Sequence, residues 1–274
     1  MIRFTISDPD SIEYVADWVE LFTILNGSPI SKSTLTSHLS LEMGEDPDSC
    51  FIDDVWLELE YRNQLYGSRP PYDVNSRSIT PMITKKGNPE YVMCLLLSIL
   101  GNSENTTNTG KLFERLSGEA IRNYIKGRVI IYGYPSKQTV QNIANFTHER
   151  LNFRPPRNFK DRGLDIIAWK SFDDNRCGQI VILFQCASGN NWRSKLLSVP
   201  IDAWGKYIAW GSNPLKGFTL PRIIRKDMFD ECSYEAGIII DRARIYRNII
   251  GQEIDPALRH DLKTWCDNKI QGRC

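Results

Sequence analysis

Asp165 and Gln185 stand where a buried apolar strand would carry neither. Residues 163–169 and 178–187 are short apolar runs rich in β-branched residues. The Asp-Asp-Asn-Arg-Cys-Gly turn chemistry between them predicts a buried antiparallel hairpin. An unpartnered buried carboxylate costs several kcal/mol, so something must compensate Asp165. Side chains alternate along a strand: Asp165, Ile167 and Trp169 share one face, and Val181, Leu183, Gln185 and Ala187 share a face of the second strand. A register that lets these faces meet brings a carboxylate and an amide together at one end of the hairpin. Two oxygen ligands there can hold a hard divalent cation, magnesium or manganese. The same two groups can also end strands with their polar atoms satisfied by backbone alone.

These residues resemble the PD-(D/E)XK nuclease superfamily, and within it the Mrr-like restriction endonucleases. Residues 160–167 look like that family's Asp-bearing strand, and Phe184-Gln185-Cys-Ala looks like its Gln-x-Lys strand, with Ala187 in the lysine position. The resemblance implies magnesium-dependent hydrolysis of DNA phosphodiesters, in restriction or anti-phage defence, with Asp165 and Gln185 at the metal. It makes Glu114, in Phe113-Glu114, the acid of the first core helix, with Glu119 in reserve. A lysine that has moved to a neighbouring element would be Lys195, or Arg193 in its place. The alternative is a catalytically silent nuclease fold that binds nucleic acid or a partner protein.

Further cations and polar groups surround these positions. Arg154, Arg157, Lys160 and Arg162 form a basic loop leading into the Asp165 strand, either as a duplex backbone would require or as a merely solvated loop. Asn190, Asn191, Trp192 and Arg193 follow the hairpin and can touch substrate. Strand alternation in 237–245 puts Arg242 and Arg244 on one face, as a stripe for backbone contacts. His148 and Glu149 read as structural, because no second histidine lies at metal-binding spacing.

The elements that must position these groups read as follows. Apolar spacing predicts helices at 8–26, 31–41 and 51–66, then extended pieces over 69–81, the order of a winged helix. The third helix carries Asp53, Asp54, Glu58 and Glu60 against a single Arg62, which opposes DNA reading and favours protein interaction or self-association. An apolar helix at 89–100 and a polar linker at 102–110 precede a helix at 111–127, a strand at 128–133 and a helix at 137–151. After the hairpin come a helix at 200–210 with Trp204 and Trp210 packed, strands at 218–224 and 237–245, and a helix at 255–269. The expected fold class is α/β: a C-terminal PD-(D/E)XK-like mixed sheet flanked by helices over 109–274, after a helical, winged-helix-like domain over 1–108.

The 274 residues, 41% hydrophobic and 24% charged, suit a globular protein. A net charge of +1 confines any nucleic-acid site to a local patch. Seven cysteines without a Cys-x-x-Cys pair give no zinc or disulfide framework. Without a signal pattern or an apolar run of membrane length, the expected location is the cytoplasm, with no membrane contact. Expected partners are DNA and, from the resemblance, an ATPase or helicase subunit, or a second copy through the N-terminal domain.

Overall fold

The computed structural model describes residues 5–101, 107–133, 138–156 and 162–271. Helix α1 (Ile12–Asn26) starts where the Ser11 side chain accepts from the Tyr14 N–H, and stops at Gly27 in the left-handed conformation. Strand β1 (Ile30–Ser31), α2 (Lys32–Met43), α3 (Ser49–Leu65) and the hairpin of β2 (Tyr72–Val74) and β3 (Ser78–Pro81) follow. β3 lies between β1 and β2, antiparallel to both. The apolar α4 (Pro89–Leu100) opens on a proline and is buried along nearly its whole length.

Helix α5 (Thr107–Ile125) leads into β4 (Arg128–Ile131), α6 (Val140–Thr147), β5 (Arg150–Leu151), β6 (Ile166–Lys170) and β7 (Ile180–Cys186). After a 3-10 turn at Trp192–Lys195 come α7 (Ile201–Gly205), β8 (Ile208–Ala209), β9 (Leu215–Thr219), α8 (Lys226–Ala236), β10 (Ile238–Ile240), α9 (Arg242–Ile249) and α10 (Pro256–Gln271). Five of these strands form a mixed sheet ordered β10-β9-β7-β6-β4. The β4, β6 and β7 pairings are antiparallel, whereas β7, β9 and β10 run parallel. The fold is therefore α/β with a mixed sheet.

Alternation along β6 and β7 decides which helices cover each face. Ile166, Ala168, Ile182 and Phe184 pack with Phe113, Leu116 and Ile121 of α5, in a cluster that also takes in α1, α4 and α10. Ile167, Trp169, Val181 and Leu183 face the other way, against Val140 and Ile143 of α6 and Trp204 of α7. Both faces are thus covered, as a sheet with parallel strands needs. The larger cluster runs from Ile6 to Ile270, so residues on both sides of position 108 share one apolar core.

An ionic cluster crosses that core. Arg62 of α3 and Arg242 of α9 both donate to Asp17 (2.7 Å each) and Glu20 (3.0 and 3.3 Å) of α1. Arg62 also holds Glu58 at 2.6 Å, and Ser98 donates to Asp17. Here the structure corrects the expected arginine stripe. The strand ends at Ile240, and the Asp241 side chain caps α9 by accepting from the Arg244 N–H. Arg242 is wholly buried, and Arg244 donates to the Ile239 carbonyl and lies over the Phe229 ring. The apolar spacing of Ile245, Tyr246 and Ile249 carries the helical signal that the alternating arginines masked. Two other boundaries shift for a similar reason: residues 150–151 and 208–209 leave the expected helices to pair as a small antiparallel ladder, and Leu215–Thr219 replaces 218–224 as the strand.

Burial alone would raise the Asp17 carboxyl, but the Arg242 and then the Arg62 charges bring it down to about 2. A folded-state pKa below the unfolded value adds stability that is complete above the unfolded pKa and lost as pH falls through the folded one. The expected result is a loss of roughly 2 kcal/mol between about pH 5 and pH 2 from this group, read as a falling urea midpoint. Asp241 and Glu90, which burial pushes upward, act in the opposite direction and at higher pH, between their raised values and the ordinary carboxylate range.

Candidate functional site

The register of β6 and β7 pairs Ile166 with Phe184, which sets Asp165 beside Gln185 one step further along. The Gln185 amide donates to Asp165 Oδ2 at 2.6 Å, and the Cys186 N–H donates to the same oxygen at 2.7 Å. Backbone bonds hold the pair in place: Asp165 N–H to the Phe184 carbonyl, and Tyr132 and Gly133 N–H to the Asp165 carbonyl. Gly163, at φ +75°, lets the chain turn into β6 where a Cβ would lie 2.6 Å from the Ser198 carbonyl.

Glu114 arrives from α5 on the same end of the sheet. A Cβ built on Gly133 would sit 2.7 Å from Asp165 Oδ1 and 2.8 Å from both Glu114 oxygens. The two carboxylates therefore close on one point, with oxygens within twice that distance of each other. Lys111, one turn before Glu114, donates to Glu114 Oε2 at 2.9 Å and to the Gly133 carbonyl. Glu114, Asp165, Gln185 and Lys195 all line a cleft of about 260 Å³, with Cys186 and Ser188 beside them. Asp165, Gln185 and Glu114 are each at most 9% exposed. The half-buried Lys195 comes from the 3-10 turn, and among the described residues its ammonium has no hydrogen-bond or ion-pair partner.

The donor set suits a small divalent ion. Two carboxylates aimed at one point, with an amide whose half-turn would exchange Nε2 for a third oxygen, are hard oxygen donors. Magnesium characteristically takes one or two carboxylates and keeps several waters, so the lack of a third acid is compatible with it. Among the described residues there is no group of three or more His, Cys, Asp or Glu side chains for a metal. Cys186 is no nucleophile: burial, then the Asp165 and Glu114 charges, hold its thiol protonated.

Other residues expected at the site are dispersed. Glu119 pairs with Arg122 outside the cleft. Arg154 is exposed, Arg162 lies 5.6 Å over the Tyr207 ring, and Arg157 and Lys160 fall outside the described residues. Asn191 is exposed, while the Asn190 amide accepts from Arg222 and packs against Gly101. Trp192 is buried with Ala187, Leu196 and Phe218, under the Arg193 guanidinium. Glu149 accepts from the Gly178 and Gly211 N–H groups at 2.9 and 2.8 Å, a structural clamp between two turns. Lys111 and Gly133 were not singled out from the sequence. The Lys111–Glu114 spacing was the available signal for the first, whereas the close approach at Gly133 exists only in three dimensions.

No family model, curated protein or solved structure matches the chain.

Proposed function

We propose that the protein is a metal-dependent DNA endonuclease of PD-(D/E)XK type. The observation that carries this reading is the cleft in which Glu114, Asp165, Gln185 and Lys195 meet. The element order supports it too: the acid-bearing α5, strand β4 and the β6–β7 hairpin follow in the order of that resemblance, with α6 and β5 intervening. Glu114, Asp165 and the turned Gln185 amide would hold magnesium or manganese, which supplies charge neutralisation at the phosphate and a more acidic water. Lys195 would neutralise charge on the scissile phosphate from the open side of the cleft. Lys111 holds Glu114 in place and balances the pair of carboxylates. Exposed Arg154 and Arg162 would contact the DNA backbone.

Lys195→Met is expected to lower magnesium-dependent plasmid cleavage about 100-fold with an unchanged melting temperature. Unchanged cleavage would remove Lys195 from the reaction. Ala187→Lys is expected to give no gain in cutting and a loss of stability, because Ala187 is buried against Trp192, Leu196 and Phe218, and an ammonium there would be desolvated.

A second reading, a catalytically silent nucleic-acid-binding subunit, is favoured by one observation: Asp165 Oδ2 already takes two N–H donors from the protein. Binding of DNA without cutting, with and without metal, would select it.

The N-terminal order α1-β1-α2-α3-β2-β3, with β3 central, supports a winged-helix reading of this part. Asp53 and Glu58 of α3 are paired with Lys32 and Arg62, but Asp54 and Leu57 remain exposed. That surface suits a protein partner, an ATPase or helicase subunit or a second copy, better than DNA. A role in restriction or anti-phage defence rests on the resemblance. No helix among the described residues is long and apolar enough to cross a membrane.

A further inference from the structure

A second cavity, of about 440 Å³, lies between the start of α1 and the segment joining β9 to α8, and its lining includes Ser11, Tyr14, Trp192, Arg193, Arg222 and Arg225. Its cations are unequally satisfied. Arg225 is paired with Asp227 at 2.6 Å and Glu13 at 3.5 Å, and Arg62 is absorbed by the buried ionic cluster. Arg193 and Arg222 have only neutral acceptors: the Met228 thioether at 3.3 Å and the Asn190 amide oxygen. Among the described residues neither guanidinium has a carboxylate partner, and the Arg222 Nε is buried without a hydrogen-bond acceptor. Burial pushes the Arg222 pKa down, the mark of a cation stripped of water.

The acids on the lining do not cancel these charges. Asp17 is held by Arg62, Arg242 and Ser98, and Glu13 faces Arg225, which among the described lining residues leaves Asp8, exposed at the surface. Planar guanidiniums bind oxyanions through paired N–H groups, so a phosphate or a similar anion fits the partner that they lack among the described residues. The cavity volume falls in the range of small-molecule sites, roughly 300–1,000 Å³, which leaves room for more than inorganic phosphate. Tyr14 adds ring surface for a base or sugar.

We propose that this cavity binds a nucleotide through its phosphate monoester, with Arg193 and Arg222 as the phosphate ligands. The site is separate from the Glu114–Asp165 cleft and does not depend on cleavage there. The two are joined through one short segment: Asn190, Trp192 and Arg193 line the cavity, and Lys195 lines the cleft. The phosphate can belong to a free nucleotide or to the 5′ end of a DNA strand.

The test is titration calorimetry of the full chain with inorganic phosphate, adenosine monophosphate and a short oligonucleotide with or without a 5′-phosphate. The expected result is saturable binding of adenosine monophosphate, weakened at least about tenfold in Arg222→Gln and in Arg193→Gln, and unchanged in Asp165→Asn. Arg193 is exposed, so its substitution reports binding even if Arg222→Gln fails to fold. A preference for the 5′-phosphorylated oligonucleotide that both substitutions remove would assign the phosphate to a strand end. Binding of the free nucleotide alone, with the same sensitivity, would assign it to a small ligand. No saturable binding of any phosphate monoester, or binding that neither arginine substitution weakens, would overturn the proposal.

Discussion

Arg242→Met is expected to cost roughly 3–5 kcal/mol of stability, enough to leave much of the protein unfolded at physiological temperature. Arg242 reaches Asp17 and Glu20 from the opposite end of the chain, at full burial. Removing it leaves two buried carboxylates sharing the single charge of Arg62, and a buried charge without its partner costs more than the pair contributed. The measurement is the urea or thermal unfolding midpoint. Arg244→Met, two residues away and exposed, is the control and should cost less than about 1 kcal/mol. Because Asp17, Glu20, Arg62 and Arg242 act as one network, Glu20→Gln combined with Arg242→Met should recover part of the loss. Equal stability of Arg242→Met and wild type would mean that this network does not join α1 to α9.

Gly133→Ala is expected to reduce magnesium-dependent cleavage by about 100-fold while leaving the fold intact. The φ of Gly133 is not positive, so alanine imposes no backbone strain there. Its methyl would fall 2.7 Å from Asp165 Oδ1 and 2.8 Å from both Glu114 oxygens. Those atoms are side-chain ends and can move aside, so the carboxylates separate while the strands hold. Cleavage kinetics and metal titration on the same preparation check it together with circular dichroism. Wild-type cleavage by Gly133→Ala would show that the convergence of the two acids is irrelevant to activity.

The strand period made the Asp165–Gln185 pairing legible. A period of two assigns faces without knowledge of the third dimension, and the hairpin turn limited the register. Lys195 came only from the resemblance, which also offered Arg193; the turn after the strand places Lys195 in the cleft. The N-terminal helices were legible from their caps, Ser11 and Gly27 above all. Arg242 was misread because its meaning depends on partners more than 200 residues earlier, and no local pattern distinguishes a buried ion pair from a surface cation. Arg62 shows the same failure on a smaller scale: on α3 it looked like the lone cation of an acidic surface, yet it is buried. Gly133 was invisible because a glycine that makes room for two distant side chains has no signature of its own.

The most direct test of the account is incubation of purified protein with supercoiled DNA in magnesium or manganese, with Asp165→Ala in parallel. The expected result is nicking or linearisation by the wild-type chain that chelator abolishes and that disappears in Asp165→Ala, with both proteins equally folded. Cleavage that survives Asp165→Ala, or no cleavage by a folded wild-type chain in either metal, would contradict it.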